Sequence, residues 1–354
     1  MDFKNEANRL LEKDKEENTK NKESVSQVKN DVSMNEAQEI KEIKDNTPIG
    51  YIPIELSTNG KLSLPKVVHL RNFDTTEIVD LVSQIDENKL SSLVRMFNEC
   101  CYEDVDFSQA TDKELLEIAL TIYKNFYSNV ITEFSFPLDE NDLEFLYEHN
   151  PELLEQIKKG KNRPTVDIPI SSIDINRLPK DFKEPITIKD KGTNESYSFK
   201  IPRIADGLIV QEYIRVKYED EDERMYKIEQ KLLEERQLKI DAKLSGKERK
   251  AYKEYEKNRA VDHVKAIQKL CLVKLNGVEL TDLDSKLDTH IPQGVWTAYT
   301  QFLENLKMGV QDEVKVLSPI TNKEETRRFE FRSYDIVEAI SVFRDDTKFD
   351  IQYG

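Results

Sequence analysis

Glycine is scarce, with 10 residues in 354, cysteine scarcer with three, and tryptophan occurs once. So few glycines leave little material for a phosphate-cradling loop, which needs closely spaced glycines ahead of a helix. Gly246-Lys247 precedes a helical stretch but has neither the upstream glycine nor the following Ser/Thr. Three cysteines, two of them adjacent (Cys100, Cys101, with Cys271 far away), make no disulfide framework. No apolar run approaches the ~18 residues that span a bilayer, and Met1-Asp2-Phe3-Lys4-Asn5-Glu6 opens polar, without a hydrophobic signal region. A soluble intracellular protein is expected. Histidine is rare too: His69, His149, His263 and His290 show no i,i+4 spacing and no Cys-x-x-Cys nearby. No metal or cofactor site is therefore expected. No Gly-x-Ser-x-Gly elbow occurs, and Cys271, inside an apolar run, reads as a core residue. No catalytic residue is assigned.

Charge is what the chain has in quantity. Acids number 69 against 53 Lys and Arg, a formal charge of -16, and hydrophobic residues are only 38%. Such a balance opposes general binding to phosphate backbones, whose affinity comes from Lys and Arg. Residues 1–48 carry 12 acids, 9 bases, one aromatic and no glycine, too little apolar surface to offset ~1–2 kcal/mol of ordering entropy per residue. A disordered charged tail is expected there, with a weak stripe (Leu10, Leu11, Val25, Val28, Val32) for a partner.

Beyond it the pattern is mixed. Tyr51–Leu56 and Leu62–Leu70 read as strands of a hairpin turned by Asn59-Gly60. Capping boxes at Asp74…Glu77 and Thr111…Glu114 open helices. The first buries Ile78, Leu81 and Val82, and the second carries Leu115, Ile118, Ala119, Ile122, Tyr123 and Phe126. Between them a helix carries Leu90, Leu93, Val94, Phe97 and Cys101. Val130–Phe136 alternates as a strand, and 140–160 is helical with a break at Asn150-Pro151. Strands are expected at Ile186–Ile188, Ser196–Ile201 and Leu208–Val210. Residues 218–260 hold 12 acids and 12 bases, acids first and bases last, and read as two helices joined near Gly246. Asp220-Glu221-Asp222 fits an acidic first turn better than a calcium loop, since Met225 occupies the glycine position. A helix from about Gly294 to Lys307, ending at Gly309, is expected to bury Val295, Ala298, Phe302 and Leu306. Val310–Leu317 and Arg328–Arg332 alternate as strands.

The fold class is thus α+β: two small mixed helix/hairpin units, a charged helical arm and a disordered N-terminal tail. The boundaries are 1–48 (tail), 49–163 (N-terminal domain), 164–217 (strand-rich middle), 218–260 (arm) and 261–354 (C-terminal domain). The thin apolar stripe of the arm, Met225, Ile228, Leu232, Ile240 and Leu244, is the candidate interaction surface.

Two helix–strand segments, Leu115–Pro137 and Trp296–Pro319, share a layout. With Glu55-Leu-Ser-Thr-Asn-Gly60, Arg71, Phe73-Asp-Thr-Thr-Glu77, Leu178-Pro-Lys-Asp-Phe182, Pro185, Phe199–Arg203, Leu275-Asn-Gly277 and Gly309-Val-Gln-Asp312 in that order, the chain resembles the baseplate hub assembly proteins of T-even-type contractile-tail phages. The similarity covers about 50–345, interrupted by the charged helices. It implies a bacteriophage late protein, a virion or tail assembly chaperone or minor structural protein of the baseplate. Its partners would be other tail and baseplate hub proteins, with no nucleic acid and no membrane, in the host cytoplasm during assembly or in the virion. Many relatives end both strands in a zinc-knuckle Cys-Pro-x-Cys. Here Phe136-Pro-Leu-Asp139 and Ser318-Pro-Ile-Thr321 stand instead, so apolar packing through Phe134 and Phe136, or a partner, is expected to hold those ends. The alternatives are a non-enzymatic regulatory adaptor binding a host protein through the charged helices, and an enzyme with an unrecognised site.

Overall fold

The computed structural model describes residues 47–83, 86–238, 246–333 and 335–337, with backbone alone for 86–88 and 232–238. The expected tail thus lies outside the described residues apart from Thr47 and Pro48. The chain divides into Met1–Pro53 and Ile54–Gly354. In the first, the Tyr51 amide donates to the Pro48 carbonyl across a turn at Ile49-Gly50, and Tyr51 opens strand β1 (Tyr51–Glu55). The second holds every later element.

After β1 the Leu56 amide donates to the Lys66 carbonyl at 2.9 Å, closing a loop that leads into β2 (Val67–Arg71). Asn59 and Gly60 supply the expected positive φ, 53° and 68°. Helix α1 (Thr75–Ser83) opens with the Asp74/Glu77 box, each residue's amide donating to the other's carboxylate at 2.7–2.9 Å. Ile78 and Leu81 are buried, but Val82 is exposed, lying on the far edge of the stripe. In α2 (Asp86–Cys100) the buried thiol is Cys100, because the helix ends there and Cys101 turns out to bridge Leu70.

Helix α3 (Asp112–Phe126) carries the complete Thr111/Glu114 capping box and is buried without a break from Glu114 to Leu120. A helix covered all round is a core element. Along the chain it is followed by β3 (Val130–Ser135), then α4 (Glu140–His149) and α5 (Pro151–Lys158), broken where expected because Asn150 caps α5 and Pro151 starts it. β4 (Thr165–Pro169) pairs antiparallel with β3 across a bulge at Thr132-Glu133.

Strands β5 (Ile175–Asn176), β6 (Ile186–Lys189) and β7 (Ser196–Phe199) come next. The strand expected at Leu208–Val210 is instead part of α6 (Ile204–Leu238). The Arg203 and Ile204 amides donate to Asp206 and to the Ala110 carbonyl, so the helix starts well before the charge run. Asp220–Asp222 therefore sits mid-helix and not in a first turn. Helix α7 (Gly246–Cys271) continues straight into β8 (Leu272–Leu275) and β9 (Val278–Glu279).

β6, β7, β8 and β9 form one antiparallel sheet in that order. The middle segment and the C-terminal segment are thus joined in a single sheet, with the charged helices inserted between adjacent strands. After α8 (Leu283–Asp288), helix α9 (Gln293–Leu306) covers this sheet. Tyr197, Phe199, Cys271, Leu272, Ile291, Val295 and Tyr299 make the core. Tyr299 is fully buried, stacked on Phe199 at 4.4 Å with its hydroxyl donating to the Lys200 carbonyl. Ala298, Phe302 and Leu306 are only half-buried, since it is the Val295/Tyr299 edge that faces the sheet.

Helix α9 ends at Lys307, itself left-handed at φ 44°, two residues before Gly309. Gly309 begins β10 (Gly309–Val310), which pairs with β5, and a Cβ there would lie 2.7 Å from the Lys113 Cβ. The expected strand 310–317 is interrupted at Gln311-Asp312, whose backbone groups bond to Asp174 and Phe329. It resumes as β11 (Glu313–Leu317), paired with β12 (Glu324–Arg328). The strand expected at Arg328–Arg332 begins where β12 ends, because register with β11 is set by the turn after Ser318, whose Oγ accepts the Ile320 and Thr321 amides. The architecture is α+β.

Candidate interaction surface

Helices α6 and α7 run antiparallel as a two-helix coil. The polar pairs Lys217–Asp262 (2.7 Å), Asp222–Arg259 (3.6 Å) and Lys231–Glu248 (3.5 Å) mark the opposed directions. Val210, Ile214, Tyr218, Met225 and Ile228 line one side of the seam, and Tyr255, Ala266 and Leu270 the other. Their 3–4 spacing keeps one stripe of each helix turned inward.

Met225 and Ile228 are therefore buried by the chain's own second helix, not displayed as an open apolar stripe. The reason is the reversal between the helices: each thin stripe covers the other. Leu232 lies on α6 among residues described by backbone alone, and Ile240 and Leu244 fall outside the described residues.

The seam also holds polar contacts. The Tyr218 hydroxyl donates to Asp262 at 2.7 Å, beside Lys217, and the Tyr255 hydroxyl donates to Asp222 while accepting from Arg259. The two rings meet edge to face at 5.8 Å, the arrangement their quadrupoles favour. Burial and then the bond to a carboxylate push both phenols up to about 12. The Lys217 hydrogen bond holds Asp262 below the usual carboxylate range, and Asp262 raises Lys217 in return. Burial, reinforced by Arg259, lowers His263.

The two helices differ in sign along the stretches that lie side by side. From Tyr218 to Glu229 α6 has six acids and two bases, whereas from Gly246 to Ala260 α7 has six bases and three acids. The charge gradient that runs along the sequence becomes, in space, an acidic rod beside a basic one. Beside the seam a groove of about 570 Å³ runs between Met225 and Tyr226 on α6 and Tyr252 and Ala260 on α7. The Tyr226 side chain, which the apolar spacing does not single out, is 60% exposed there. A signal exists in its position all the same: it falls one residue off the buried Met225, on the helix flank.

Two further clusters join distant segments. The Arg203 guanidinium, almost wholly buried, pairs with Glu184 at 2.6 Å and donates to the Ile201 carbonyl and Ser63 Oγ. At the Phe136-Pro137 end, Phe134 contacts Phe329 and Phe331 at 5.3–5.9 Å, and the Arg327 guanidinium lies over Phe136 at 5.3 Å. Aromatic packing is thus present at this first end, together with an ion-pair network of Arg327 with Asp139, Asp142 and Glu325, whereas the Ser318-Pro319 end is a turn closed by Ser318 Oγ.

Burial raises all three thiols, with Cys101 and Cys271 pushed up to about 12 and Cys100 beyond that, the last also facing Glu77. Thiols so shifted are poor nucleophiles at neutral pH. His69 lies in β2 with its amide and ring nitrogen on Glu103. Among the described residues no group of three His, Cys, Asp or Glu is placed to hold a metal ion, and no helix is long and apolar enough to cross a membrane.

Compared with protein-family models, with curated proteins and with solved structures, the chain matches none.

Proposed function

We propose that this chain is a phage tail protein of the baseplate hub, an assembly chaperone or minor structural component that works by protein–protein contact and transforms no small molecule. The family reading rests on the ordered motifs from Glu55 to Asp312. The observation that carries the contact role is the α6–α7 coil. Its seam buries Val210, Ile214, Met225 and Ile228, while Ile209, Val216, Tyr226, Val261 and Val264 stay exposed beside helix stretches of opposite charge. Charged, half-polar faces suit reversible association, since complementary charge speeds encounter and fixes orientation more than it adds affinity. The test is deletion of the coding region from the phage genome, with electron microscopy of the lysate and affinity purification of the tagged chain. Tail-less heads and co-purifying hub proteins are expected. Normal tails from the deletion overturn the reading.

A second reading, an adaptor that grips a host protein through the same charged faces, draws on the exposed Tyr226 groove. Recovery of one host protein from uninfected extract, lost in Tyr226→Glu, favours it over the first.

A further inference from the structure

We infer that the α6–α7 coil is a self-association surface, and that its occupant is the same coil of a second copy of this chain. Charge gives the first reason. Acids dominate the outer part of α6 and bases the facing part of α7. A two-fold axis makes an interface self-complementary, each residue meeting on the partner what the partner meets on it. Two face-to-face arrangements of a two-helix coil obey such an axis. With the axis across the coil, α6 lies on α6 and α7 on α7, acid against acid and base against base. With the axis along the coil, α6 of one copy lies on α7 of the other, acid against base in both places. The charge pattern selects the second arrangement.

The groove supplies the centre of the contact. Tyr226, Tyr252 and Ala260 form a strip partly open to solvent beside the buried Met225, in a groove of about 570 Å³ that Asp222, Glu229, Glu256 and Arg259 also line. It is bordered by α6 and α7 residues alone, so no other element of the described chain closes it. Two such strips laid together give a four-helix arrangement in which each exposed Tyr226 covers the other copy's groove. Buried aromatics flanked by charge are what interface centres are made of.

The arrangement also names a pair. Glu229 lines the groove on α6, one turn beyond Tyr226, and is exposed. Lys253, exposed on α7, shares a face with Glu256 and Ala260 by i,i+3 and i,i+7 spacing. Because Lys231 already meets Glu248 within the chain, Glu229 is level with a point within about one helical turn of Lys253. Across the axis each copy's Glu229 therefore reaches the other's Lys253, twice per dimer. Self-association rests on the proposed function only in taking the coil as a contact surface. A phage-deletion result bears on the hub reading alone, and sedimentation on self-association alone.

The full chain is followed by sedimentation equilibrium. The expected result is a species of twice 41.4 kDa in about 0.1 M salt that dissociates toward monomer near 1 M, where the screening length falls from about 10 to about 3 Å. Glu229→Lys alone and Lys253→Glu alone each weaken association about tenfold or more by setting like charges opposite each other twice. An equimolar mixture of the two variants, and the double variant Glu229→Lys/Lys253→Glu, both recover it. Both positions are exposed, so circular dichroism checks that helicity is unchanged. A chain that is monomeric at all concentrations in low salt overturns the inference. So does a dimer indifferent to both reversals, or single variants that the mixture fails to restore.

Discussion

Arg327 on β12 and Asp142 in the first turn of α4 are 185 residues apart in sequence and 3.0 Å apart in space. Asp142 is almost wholly buried, and the same guanidinium also holds Asp139 and Glu325 and covers the Phe136 ring. Burial raises Asp142 even so, with the Asp139 amide and Arg327 pulling it back. One side chain thus joins the strand ends that follow β3 and precede the end of β12.

Arg327→Ala is expected to destabilise the protein by about 3 kcal/mol, because it leaves a buried carboxylate without its counter-charge. Arg327→Lys keeps the charge but not the fork and should fall in between. Urea unfolding monitored by circular dichroism measures both. An alanine variant within about 0.5 kcal/mol of the parent, the scale of an ordinary surface substitution, would show that the network carries no weight.

Glu77 gives a pH dependence with a definite sign. Its burial favours the neutral form, but the Arg71 fork and the Asp74 amide outweigh that and lower its pKa below 4.5. A carboxylate whose folded pKa is depressed stabilises above its unfolded pKa and loses that contribution as pH falls through the folded value. The stability gap between the parent and Glu77→Gln should therefore be full at pH 7, about 1–2 kcal/mol for a hydrogen-bonded charge, and shrink below pH 4.5. A gap that stays constant down to acid unfolding would contradict this assignment.

Removing the charged helices tests how far the core depends on them. Replacing 219–260 by a short Gly-Ser loop keeps Val210 and Ile214 against Ala266 and Leu270, and leaves β7 paired with β8. The remaining ends are close in space, since Tyr218 bonds Asp262, and loop closure costs little for a short span. Cooperative thermal unfolding and loss of only the deleted helices' circular dichroism are expected. Replacing 204–271 instead cuts into the core that holds Phe199, Cys271 and Tyr299 and should abolish cooperative folding.

Local signals carried much of the fold. The capping boxes at Asp74 and Thr111, the Asn59-Gly60 turn and the Asn150-Pro151 break appear where the side chains dictate, because each is settled by groups within four residues. Leu208–Val210 failed for the same reason in reverse: an apolar triplet fits strand or helix, and a start at Arg203–Asp206, anchored on Ala110 and Glu184, decided for helix. Of the candidate residues, Met225 and Ile228 were legible as apolar positions, but their use inside a seam was not, since their cover lies about 30 residues further on.

By itself, the sequence determined the α+β class, the starts and stops of helices, and a charged stretch with one thin apolar stripe per helix. Backbone preference and side-chain spacing are local, so short windows suffice for them. The fold alone decided that acids and bases lie side by side instead of end to end, that β7 and β8 are neighbours across a long insertion, and that Arg327 serves α4. Those outcomes depend on which distant surfaces exclude water together, and that is a property of the whole chain's packing.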